Sequence, residues 1–537
     1  MTRILFCAGL LAAFSSAQGR PYNFMTTNSP NAAFASGGYG ANATGMGDVD
    51  GDGFEDYAVV APGAGVPVGT FPNNGVIYVQ SGRRGELILT MIGDQPGAMM
   101  GNAMLSVGDV SGDGIPDLAV GSPSHDLAFG NGGRVTMYSG SDGSVLWTSD
   151  GEAIGRERGS CLAATPDLTG DGIPDLVTGE PGSDIGGAGR GRAVFLNGAT
   201  GGEFGEAIGP LVFASFGKTM AGTVSQMAVF VGDGAGRTYE LPAPIVGVST
   251  PVLFRDKPPG GHVPVQLALI PKVAGGHRIA IGLSSADITG NNSGVLWLHE
   301  LNGLELFARP GVMPIAGFGF EVARGQDLDG NGEDEIVAAR ADGSLMPSII
   351  EIVRQDGTLQ AQLSSGCADG PDLHSIGDTT GDGRGELLVS FASGQCGIAE
   401  TWLFGTGMEV TVTQNGAGDV LASADIDFGA GRAGQSYWQL FSISGTEPGL
   451  LGPSPWPLVP LNIDGVTTVA QSLSGGPLAP NTSGVLDAVG RGQSTLTVPA
   501  SVAQILSGIP FQSVTVVLDG AGQNITATSN PTTWVMP

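Results

Sequence analysis

Residues 47–56 read Gly47-Asp48-Val49-Asp50-Gly51-Asp52-Gly53-Phe54-Glu55-Asp56, and the apolar run Tyr57-Ala58-Val59-Val60 follows at once. Aspartates occupy positions 1, 3, 5 and 9 of a nine-residue loop that starts at Asp48. Alternate side chains of a tight loop converge on one point, where carboxylates repel one another unless a cation lies among them. Ca²⁺ suits this arrangement because it takes about six to eight oxygen ligands in a permissive geometry. The stretch therefore predicts a calcium loop between two β-strands.

The same loop occurs five times, starting at residues 48, 109, 167, 327 and 378. Every copy has an oxygen-bearing side chain at positions 1, 3, 5 and 9 and glycine at positions 4 and 6, and the carbonyl group of position 7 would complete the set. The alternative is a metal-free Asp-Gly hairpin turn. It could explain a single copy, but five copies with the same oxygen-bearing positions argue against it. The predicted ligand residues are Asp48, Asp50, Asp52, Phe54, Asp56, Asp109, Ser111, Asp113, Ile115, Asp117, Asp167, Thr169, Asp171, Ile173, Asp175, Asp327, Asp329, Asn331, Glu333, Glu335, Asp378, Thr380, Asp382, Arg384 and Glu386.

An EF-hand loop begins in the same way and is the nearest alternative among metal loops. It requires a bidentate Glu at position 12 and a helix after the loop. Position 12 is instead Val59, Val120, Thr178, Ala338 or Val389, each within an apolar run typical of a strand. The sequence therefore argues against an EF-hand.

The composition favours many short strands joined by turns. The 537 residues include 92 glycines, aromatic residues make up 6%, and no long segment has helical periodicity. The formal net charge is −29, and 16 of the 51 acidic residues are predicted to bind calcium through their side chains. A chain this acidic is not expected to bind nucleic acid or anionic membranes by charge attraction.

The first 17 residues have the pattern of a secretory signal peptide. Arg3 supplies the positive charge, residues 4–14 are apolar, and Ser15-Ser16-Ala17 offers a small-residue cleavage site. The apolar run has about half of the ~20 residues that a transmembrane helix needs, and no other stretch is suited to crossing a bilayer. We expect a secreted, periplasmic or surface-attached protein without a transmembrane segment.

Three cysteines follow the predicted cleavage site. Cys367 and Cys396 flank the fifth loop, and an oxidising compartment would permit a disulfide between them. The sequence alone does not fix the pairing. Cys161 lies among small residues before the third loop and is expected to be a buried apolar residue.

The loops belong to a longer repeat. Their first residues are 61, 58, 160 and 51 residues apart, and the long gap has room for two further units. In that gap, Phe216-Gly217 opens one unit and residues 265–282 form another, both without the acidic loop. Five intact units and two degenerate ones make seven. The units share a glycine eight residues before the loop, namely Gly40, Gly101, Gly159, Gly319 and Gly370.

Each unit has the pattern of four short strands. In the second unit, the apolar run 118–123 leaves the loop, and 133–138 follows before a turn and a fourth strand. Four strands per unit at this period are typical of a β-propeller blade, so we predict an all-β, seven-bladed β-propeller over residues 18–405. The last unit lacks a fourth strand after 399–404, and Pro21–Met25 is expected to supply it and close the ring.

These units resemble the FG-GAP repeats of the integrin α-subunit propeller and of bacterial secreted relatives. The resemblance rests on Phe318-Gly319, on the five loops, and on Gly-Ser-Pro (121–123) and Gly-Glu-Pro (179–181) in place of Gly-Ala-Pro. It implies that the loops bind Ca²⁺ between the first two strands of a blade and that the propeller serves adhesion or recognition. Two departures are the degenerate units and the substitution of Glu335 and Glu386 for Asp at position 9.

The repeat stops after residue 405, and residues 406–537 form a second predicted domain. Residues 408–413, 494–498 and 513–518 alternate as strands do, and turns rich in proline and glycine separate them. We predict a β-sandwich-like domain. It is similar to the C-terminal β-domains of bacterial secreted propeller proteins.

The sequence does not bring together an acid, a base and a nucleophile. The five histidines are scattered, and neither Gly-x-Ser-x-Gly nor His-Glu-x-x-His occurs. We therefore expect a non-catalytic, monomeric, calcium-binding propeller, with five Ca²⁺ loops, that recognises an extracellular protein or glycan. Two alternatives remain open: an extracellular enzyme that degrades polysaccharide or phospholipid, and a structural surface-layer component.

Overall fold

The structure is a computed structural model, and the statements below concern the residues that it describes. The predicted signal peptide, Cys367 and Cys396 lie outside them. The described residues are 23–27, 38–64, 74–82, 87–126, 130–242, 247–256, 265–311, 317–328, 332–340, 348–364, 371–379, 385–390, 401–405, 408–414, 420–427, 436–442, 483–485, 491–500, 510–518, 525–528 and 532–535.

Short β-strands joined by turns make up the fold. The N-terminal part contains β1 (Asn23–Thr27), β2 (Ala43–Gly47), β3 (Asp56–Ala61), β4 (Val76–Gln80), β5 (Leu87–Ile92), β6 (Ala103–Gly108), β7 (Asp117–Ser122), β8 (Arg134–Tyr138), β9 (Val145–Asp150), β10 (Leu162–Ala164), β11 (Leu176–Glu180), β12 (Arg192–Leu196) and β13 (Glu203–Ile208). It continues with β14 (Thr219–Ala221), β15 (Val229–Gly232), β16 (Thr238–Leu241), β17 (Gly247–Ser249), β18 (Val252–Arg255), β19 (Gln266–Pro271), β20 (His277–Leu283), β21 (Val295–Glu300), β22 (Glu305–Pro310), β23 (Phe318–Arg324), β24 (Ile336–Arg340), β25 (Ile349–Val353), β26 (Leu359–Ser364), β27 (Asp372–Gly377), β28 (Glu386–Ser390) and β29 (Thr401–Gly405).

Six antiparallel sheets contain four strands in chain order, as propeller blades do. They are β2–β5, β6–β9, β10–β13, β14-β15-β16-β18, β19–β22 and β23–β26. A further sheet is composite, because β27, β28 and β29 are completed by β1. The all-β propeller predicted from the sequence is confirmed. The prediction of seven blades is wrong. Six blades have all four strands in chain order, whereas the last segment of the propeller supplies only the three strands β27, β28 and β29.

The first strands of the sheets follow one another around a centre. In order, β2, β6, β10, β14, β19, β23 and β27 each contact the next, and β27 contacts β2. The junction between the last and first of these strands is backed by the pairing of β1 with β29, in which Phe24 lies opposite Phe404. The strand predicted at Pro21–Met25 is observed at Asn23–Thr27, two residues later. It pairs with the last strand of the propeller segment, as predicted.

The second strand of each blade is buried on both faces, which explains why its sequence is apolar without alternation. Strands β3, β7 and β11 are buried along their whole length, because each lies in a sheet that packs between two neighbouring sheets. The core is correspondingly divided among the junctions. In one of them, Val107 and Trp147 pack against Leu176 and Leu196 of the next blade.

The glycine that precedes the third loop by eight residues lets two neighbouring blades approach closely. Gly159 has a φ of +86°, and a Cβ there would lie 2.8 Å from the Cα of Gly121 in the preceding blade. A Cβ on Gly121 would lie 2.1 Å from the carbonyl oxygen of Gly159. Both positions therefore require glycine.

The two units predicted without an acidic loop form ordinary hairpins. Strands β14 and β15 are joined by residues 222–228, and β19 and β20 by residues 272–276. One pairing in this region was not predicted. Strand β17 runs parallel to β13 of the preceding blade and pairs with it. The fourth strand of its own blade is β18.

The C-terminal part contains two further sheets, with the orders β30-β31-β34 and β33-β32-β35-β36, and β37 pairs with β35. The strands predicted at 408–413, 494–498 and 513–518 fall in β30, β34 and β35, whereas the sandwich arrangement stays a prediction. The strands are β30 (Met408–Gln414), β31 (Val420–Asp427), β32 (Ser436–Ser442), β33 (Ser483–Val485), β34 (Arg491–Val498), β35 (Pro510–Leu518), β36 (Ile525–Thr528) and β37 (Thr532–Val535).

Candidate metal centre

The carboxylate at position 9 of every loop is buried and holds the loop backbone; we call these five residues the latch carboxylates. Each is at most 1% exposed and accepts the backbone N–H of position 2. Hydrogen bonds to charged groups contribute about 1.5–3 kcal/mol each, so the latch carboxylate stabilises the loop backbone through its own hydrogen bonds. The distances are 2.7 Å for Val49–Asp56, 2.8 Å for Val110–Asp117, 2.7 Å for Leu168–Asp175, 2.8 Å for Leu328–Glu335 and 2.6 Å for Thr379–Glu386.

In the first three loops, the second oxygen of the latch carboxylate ties the loop to the third strand of the blade. Its donor is the N–H of a glycine two residues beyond that strand, which the sequence analysis missed. The signal that could have found it is the glycine itself, which recurs at the same distance after β4, β8 and β12. The distances are 2.9 Å for Gly82–Asp56, 2.9 Å for Gly140–Asp117 and 3.0 Å for Gly198–Asp175.

The aspartate at position 1 accepts the N–H of the glycine at position 6. This bond is 2.8–2.9 Å long in the loops that begin at Asp48, Asp109, Asp167 and Asp327. The glycine has a φ of +90° to +91° in all four. A Cβ on Gly53 would meet nothing within 4 Å, so this position requires glycine for its left-handed backbone and not for space.

Three carboxylates converge in the first loop. One oxygen from each of Asp48, Asp50 and Asp56 lies within 4.8 Å of the other two. Oxygens that bind one Ca²⁺ at about 2.3–2.6 Å are at most about 5 Å apart, so this donor set fits a single calcium ion. Asp50 is exposed and Asp56 is buried, which leaves the group open to solvent on one side. Within the described ranges, no other three acidic, histidine or cysteine side chains converge in this way.

The carboxylates at the base and at the rim of the loops differ in their proton affinity. Burial raises the pKa of Asp56 to about 6, because desolvation outweighs its backbone N–H donors. Burial also raises the pKa of Asp175. At the rim of the third loop, the N–H of Gly172 lowers the pKa of Asp167. A bound cation would favour the charged form of all these groups.

The third loop has a side-chain partner that the sequence analysis missed. Asn197 donates its amide N–H groups to Thr169 Oγ1 at 2.8 Å and to Asp171 Oδ2 at 2.5 Å. Thr169 Oγ1 in turn lies 3.3 Å from Asp175 Oδ1. The predicted ligands at positions 3, 5 and 9 of this loop are thus brought together by hydrogen bonds.

The residue at position 7 contributes its N–H to the loop. Its acceptor is the carboxylate at position 5, at 2.9–3.1 Å, for the pairs Phe54–Asp52, Ile115–Asp113 and Ile173–Asp171. The predicted role of the position 7 carbonyl as a ligand stays a prediction. In the second loop, Ser111 Oγ at position 3 lies 3.4 Å from Asp109 Oδ1.

The fourth and fifth loops are described in part. The predicted ligands that lie outside the described residues are Asp329, Asn331, Thr380, Asp382 and Arg384. Those within them are Asp327, Glu333, Glu335, Asp378 and Glu386. In all five loops, position 12 lies in a buried strand, namely β3, β7, β11, β24 or β28. The prediction that these are not EF-hand loops is confirmed.

A buried charge network occupies the end of β11 that is remote from the third loop. The fully buried carboxylate of Glu180 accepts the Nε–H of Arg158 at 2.7 Å and the Nε–H of Arg192 at 2.6 Å. Arg192 also pairs with Glu206 at 2.8 Å, and Arg158 pairs with Glu203. Cys161 is a free cysteine of intermediate exposure, and its carbonyl oxygen accepts the N–H of Gly179, the neighbour of Glu180, at 3.1 Å. Its thiol donates to the carbonyl oxygen of Gly217 at 3.0 Å.

Comparison with known families identifies the repeat. A family model described as FG-GAP repeat matches residues 104–138 and 159–196. Each range contains one acidic loop with the strands before and after it. The chain carries FG-GAP repeats. The predicted resemblance to FG-GAP repeats is thereby confirmed, whereas the likeness to bacterial secreted relatives stays a prediction.

Curated proteins similar to this FG-GAP chain cover a part of it. Integrin alpha-7 of Mus musculus is 35% identical over 113 residues, which are 20% of this chain and 9% of that protein. Integrin alpha-6 of Gallus gallus is 30% identical over 140 residues, 25% of this chain and 12% of that protein. Phosphatidylinositol-glycan-specific phospholipase D of Bos taurus is 35% identical over 174 residues, 28% of this chain and 20% of that protein.

The FG-GAP chain thus spans a fifth or less of the length of these relatives. The likeness covers a part of each protein and does not extend to their complete activities. Among the described residues of this chain, no helix is both long enough and apolar enough to cross a bilayer.

Proposed function

We propose that this FG-GAP chain is a secreted or surface-attached, calcium-binding propeller that recognises an extracellular protein or glycan without catalysis. The observation that carries calcium binding is the convergence of Asp48, Asp50 and Asp56 oxygens within 4.8 Å. The likeness to integrin alpha-7 and integrin alpha-6 supports recognition. The predicted ligands of the other four loops are proposed to act in the same way.

The proposed organisation follows the sequence. Residues 1–17 are a signal peptide, residues 18–405 form a propeller ring that the composite sheet of β1 and β27–β29 closes, and residues 406–537 form a β-sandwich-like domain. The ring contacts among the first strands support closure. We expect the protein to be a monomer.

Calcium would act on the rigidity of the ring. The latch carboxylates already hold the loop backbone, and an ion at the rim would cancel the repulsion among the remaining carboxylates. A ligand that binds only the folded state at a concentration 100 times its Kd stabilises that state by about 2.7 kcal/mol per site. A ring stabilised in this way would present its connecting loops to a partner in fixed positions.

The test is capture of extracellular proteins and glycans by the purified chain, with calcium and with EDTA. A glycan array and a pull-down serve as the two formats. We expect a saturable ligand in calcium that is lost in EDTA, and an Asp50→Asn variant that needs more calcium for the same binding. Failure to bind either class of ligand, by a folded and calcium-loaded chain, would contradict the proposal.

A second candidate function is hydrolysis of a phospholipid. It is favoured by the likeness to the phospholipase D, which covers 28% of this chain. Release of a phosphorylated headgroup from phospholipid vesicles by the purified chain would replace the recognition proposal. The third alternative, a surface-layer component, would be revealed by calcium-dependent self-assembly in light scattering.

A further inference from the structure

Glu55 in the first loop reaches across a junction to the fifth loop. Its backbone N–H donates to the carbonyl oxygen of Asp378 at 3.2 Å, and its Oε2 accepts the backbone N–H of Asp378 at 3.1 Å. Asp378 is position 1 of the fifth loop, and Glu55 precedes the latch carboxylate Asp56 of the first. Two predicted calcium loops on neighbouring sheets are therefore joined by a pair of hydrogen bonds.

A glycine makes room for this contact. Gly377 directly precedes Asp378 and has a φ of +87°. A Cβ at Gly377 would lie 1.4 Å from Glu55 Oε2. Any other residue at this position would displace the Glu55 carboxylate from the N–H of Asp378.

A second contact connects the latch carboxylates of the same two loops. Gly82, whose N–H is accepted by Asp56, packs so closely on Thr379 that a Cβ at Gly82 would lie 2.7 Å from Thr379 Cβ. Thr379 donates its N–H and its Oγ1–H to Glu386 Oε2 at 2.6 Å and 3.0 Å. Gly82 and Thr379, which donate hydrogen bonds to the two latch carboxylates, are therefore in contact. A shift of one latch carboxylate and its donor would displace the donor of the other.

The corresponding residue differs in the other loops with complete descriptions. Proline takes the place of Glu55 in the second and third loops, as Pro116 and Pro174. Pro116 packs on the first loop, where a Cβ at Gly47 would lie 3.1 Å from its Cγ. Proline has no side-chain acceptor and no N–H to bond across a junction. The hydrogen-bonded connection is thus placed where the first and last parts of the propeller segment meet.

We propose that Glu55 is a positioning residue that couples calcium binding in the first and fifth loops. Glu55 fixes the backbone at Asp378, so an ion that orders one loop removes part of the freedom that the other loop loses when it binds its own ion. The coupling is reciprocal by thermodynamic linkage. This inference rests on the proposed calcium binding and extends it to cooperation between two loops.

Terbium, a luminescent substitute for calcium, can report the first loop separately. Tyr57 directly follows Asp56, whereas the residue after position 9 is leucine or isoleucine in the other four loops. Tyr57→Phe removes the part of the terbium emission that Tyr57 sensitises. The difference in emission between the parent and this variant therefore measures occupancy of the first loop. Asp378→Asn disables the fifth loop and leaves the backbone groups that Glu55 contacts in place.

In the otherwise unaltered chain, we expect Asp378→Asn to weaken terbium binding to the first loop by about five-fold or more. Glu55→Ala removes the side-chain acceptor and keeps the backbone hydrogen bond to Asp378, so it should make the affinity of the first loop much less dependent on Asp378→Asn. Glu55→Gln keeps an acceptor oxygen and should retain most of the dependence. Pro116→Ala, the matched change in the second loop, should leave the dependence unaltered. Circular dichroism on each variant establishes that it is folded.

Three results would overturn the coupling. The first is an Asp378→Asn variant with unchanged affinity in the first loop. The second is an equal loss of affinity in the Glu55→Ala background. The third is a Glu55→Gln variant that behaves like Glu55→Ala, which would assign the effect to charge. A folded chain that binds no terbium would instead contradict the calcium sites themselves, and the coupling with them.

Discussion

The Asp56 carboxylate and the Gly82 N–H are joined by a hydrogen bond of 2.9 Å that ties the first acidic loop to the third strand of its blade. The other oxygen of Asp56 accepts the N–H groups of Val49 and Asp50, at 2.7 Å and 3.2 Å. A residue predicted as a calcium ligand therefore has a structural role of its own. The loops divide into a buried latch at position 9 and an exposed rim that faces the proposed ion.

This division predicts different effects for two variants of the same loop. Asp56→Asn places an amide group against backbone N–H donors, and we expect it to lower the free energy of unfolding by about 2 to 4 kcal/mol. That loss should be present in EDTA and should be larger in calcium, because Asp56 is also one of the three carboxylates proposed to bind the ion. Thermal unfolding in both conditions measures it.

Asp50→Asn is the matched control, because Asp50 is exposed and donates only its backbone N–H to the latch. We expect it to leave the melting temperature in EDTA nearly unchanged and to reduce the stabilisation that calcium adds. An Asp56→Asn variant as stable as the parent in EDTA would contradict the structural role of the latch carboxylate.

The buried network around Glu180 predicts a large loss of stability when its central charge is removed. Glu180→Gln would remove the buried carboxylate that Arg158 and Arg192 share and leave each with one part-exposed acidic partner, and we expect a loss of roughly 3 kcal/mol. Glu152→Gln is the matched control, because Glu152, the partner of Arg156, is 67% exposed and pairs with an exposed member contribute about 1 kcal/mol or less. Urea unfolding of both variants measures the difference, and equal losses would contradict the account.

Glu321 predicts a dependence of stability on pH. Burial, and secondarily the nearby Asp372, raise the pKa of Glu321 from 4.5 to about 8, and Gln266 donates to its Oε2 at 2.9 Å. The folded state therefore holds a proton that the unfolded state releases above pH 4.5. The stability from this group is present below about pH 4.5 and is lost as the pH rises to about 8. We expect Glu321→Gln to raise the melting temperature at pH 8 and not at pH 4.5.

The lowered pKa of His374 has the opposite effect on the pH dependence of stability. It provides a comparison with Glu321 within the same protein. Burial lowers its pKa from 6.5 to about 4, so the folded state favours the neutral ring. Its contribution to stability is present above pH 6.5 and is lost as the pH falls to about 4. A melting temperature of Glu321→Gln that follows that of the parent across the whole range would contradict the assignment to Glu321.

The pairing of β1 with β29 predicts that the N-terminal strand stabilises the ring. A chain that lacks residues 18–27 loses this strand, whereas one that lacks residues 18–22 keeps it. We expect a clear fall in the melting temperature for the first deletion and little change for the second. Equal melting temperatures for the two deletions would contradict closure by β1.

Much of this architecture was predictable because its signals are local. Acidic loops with glycine at positions 4 and 6 mark the turn between the first two strands, and the run Tyr57-Ala58-Val59-Val60 marks a strand buried on both faces. The family resemblance and the four-stranded units follow from these signals. The N-terminal strand could be placed because the last unit lacks one of its four strands.

The remaining features depend on contacts between residues that are far apart in the sequence. Gly82 lies 26 residues after Asp56, and Asn197 lies 26 residues after Asp171. The parallel pairing of β17 with β13 links two blades, and the contact of Glu55 with Asp378 spans 323 residues. Neither periodicity nor spacing within one loop indicates such partners, and only the fold brings them together.

The central claim is that the acidic loops of this FG-GAP propeller hold divalent cations. An experimental structure of the chain grown in calcium, with an anomalous difference map, tests it most directly. The account predicts a peak bounded by the Asp48, Asp50 and Asp56 carboxylates, and peaks at the rims of the other four loops. A map without a peak at the first loop, with its three carboxylates still converging, would contradict the account.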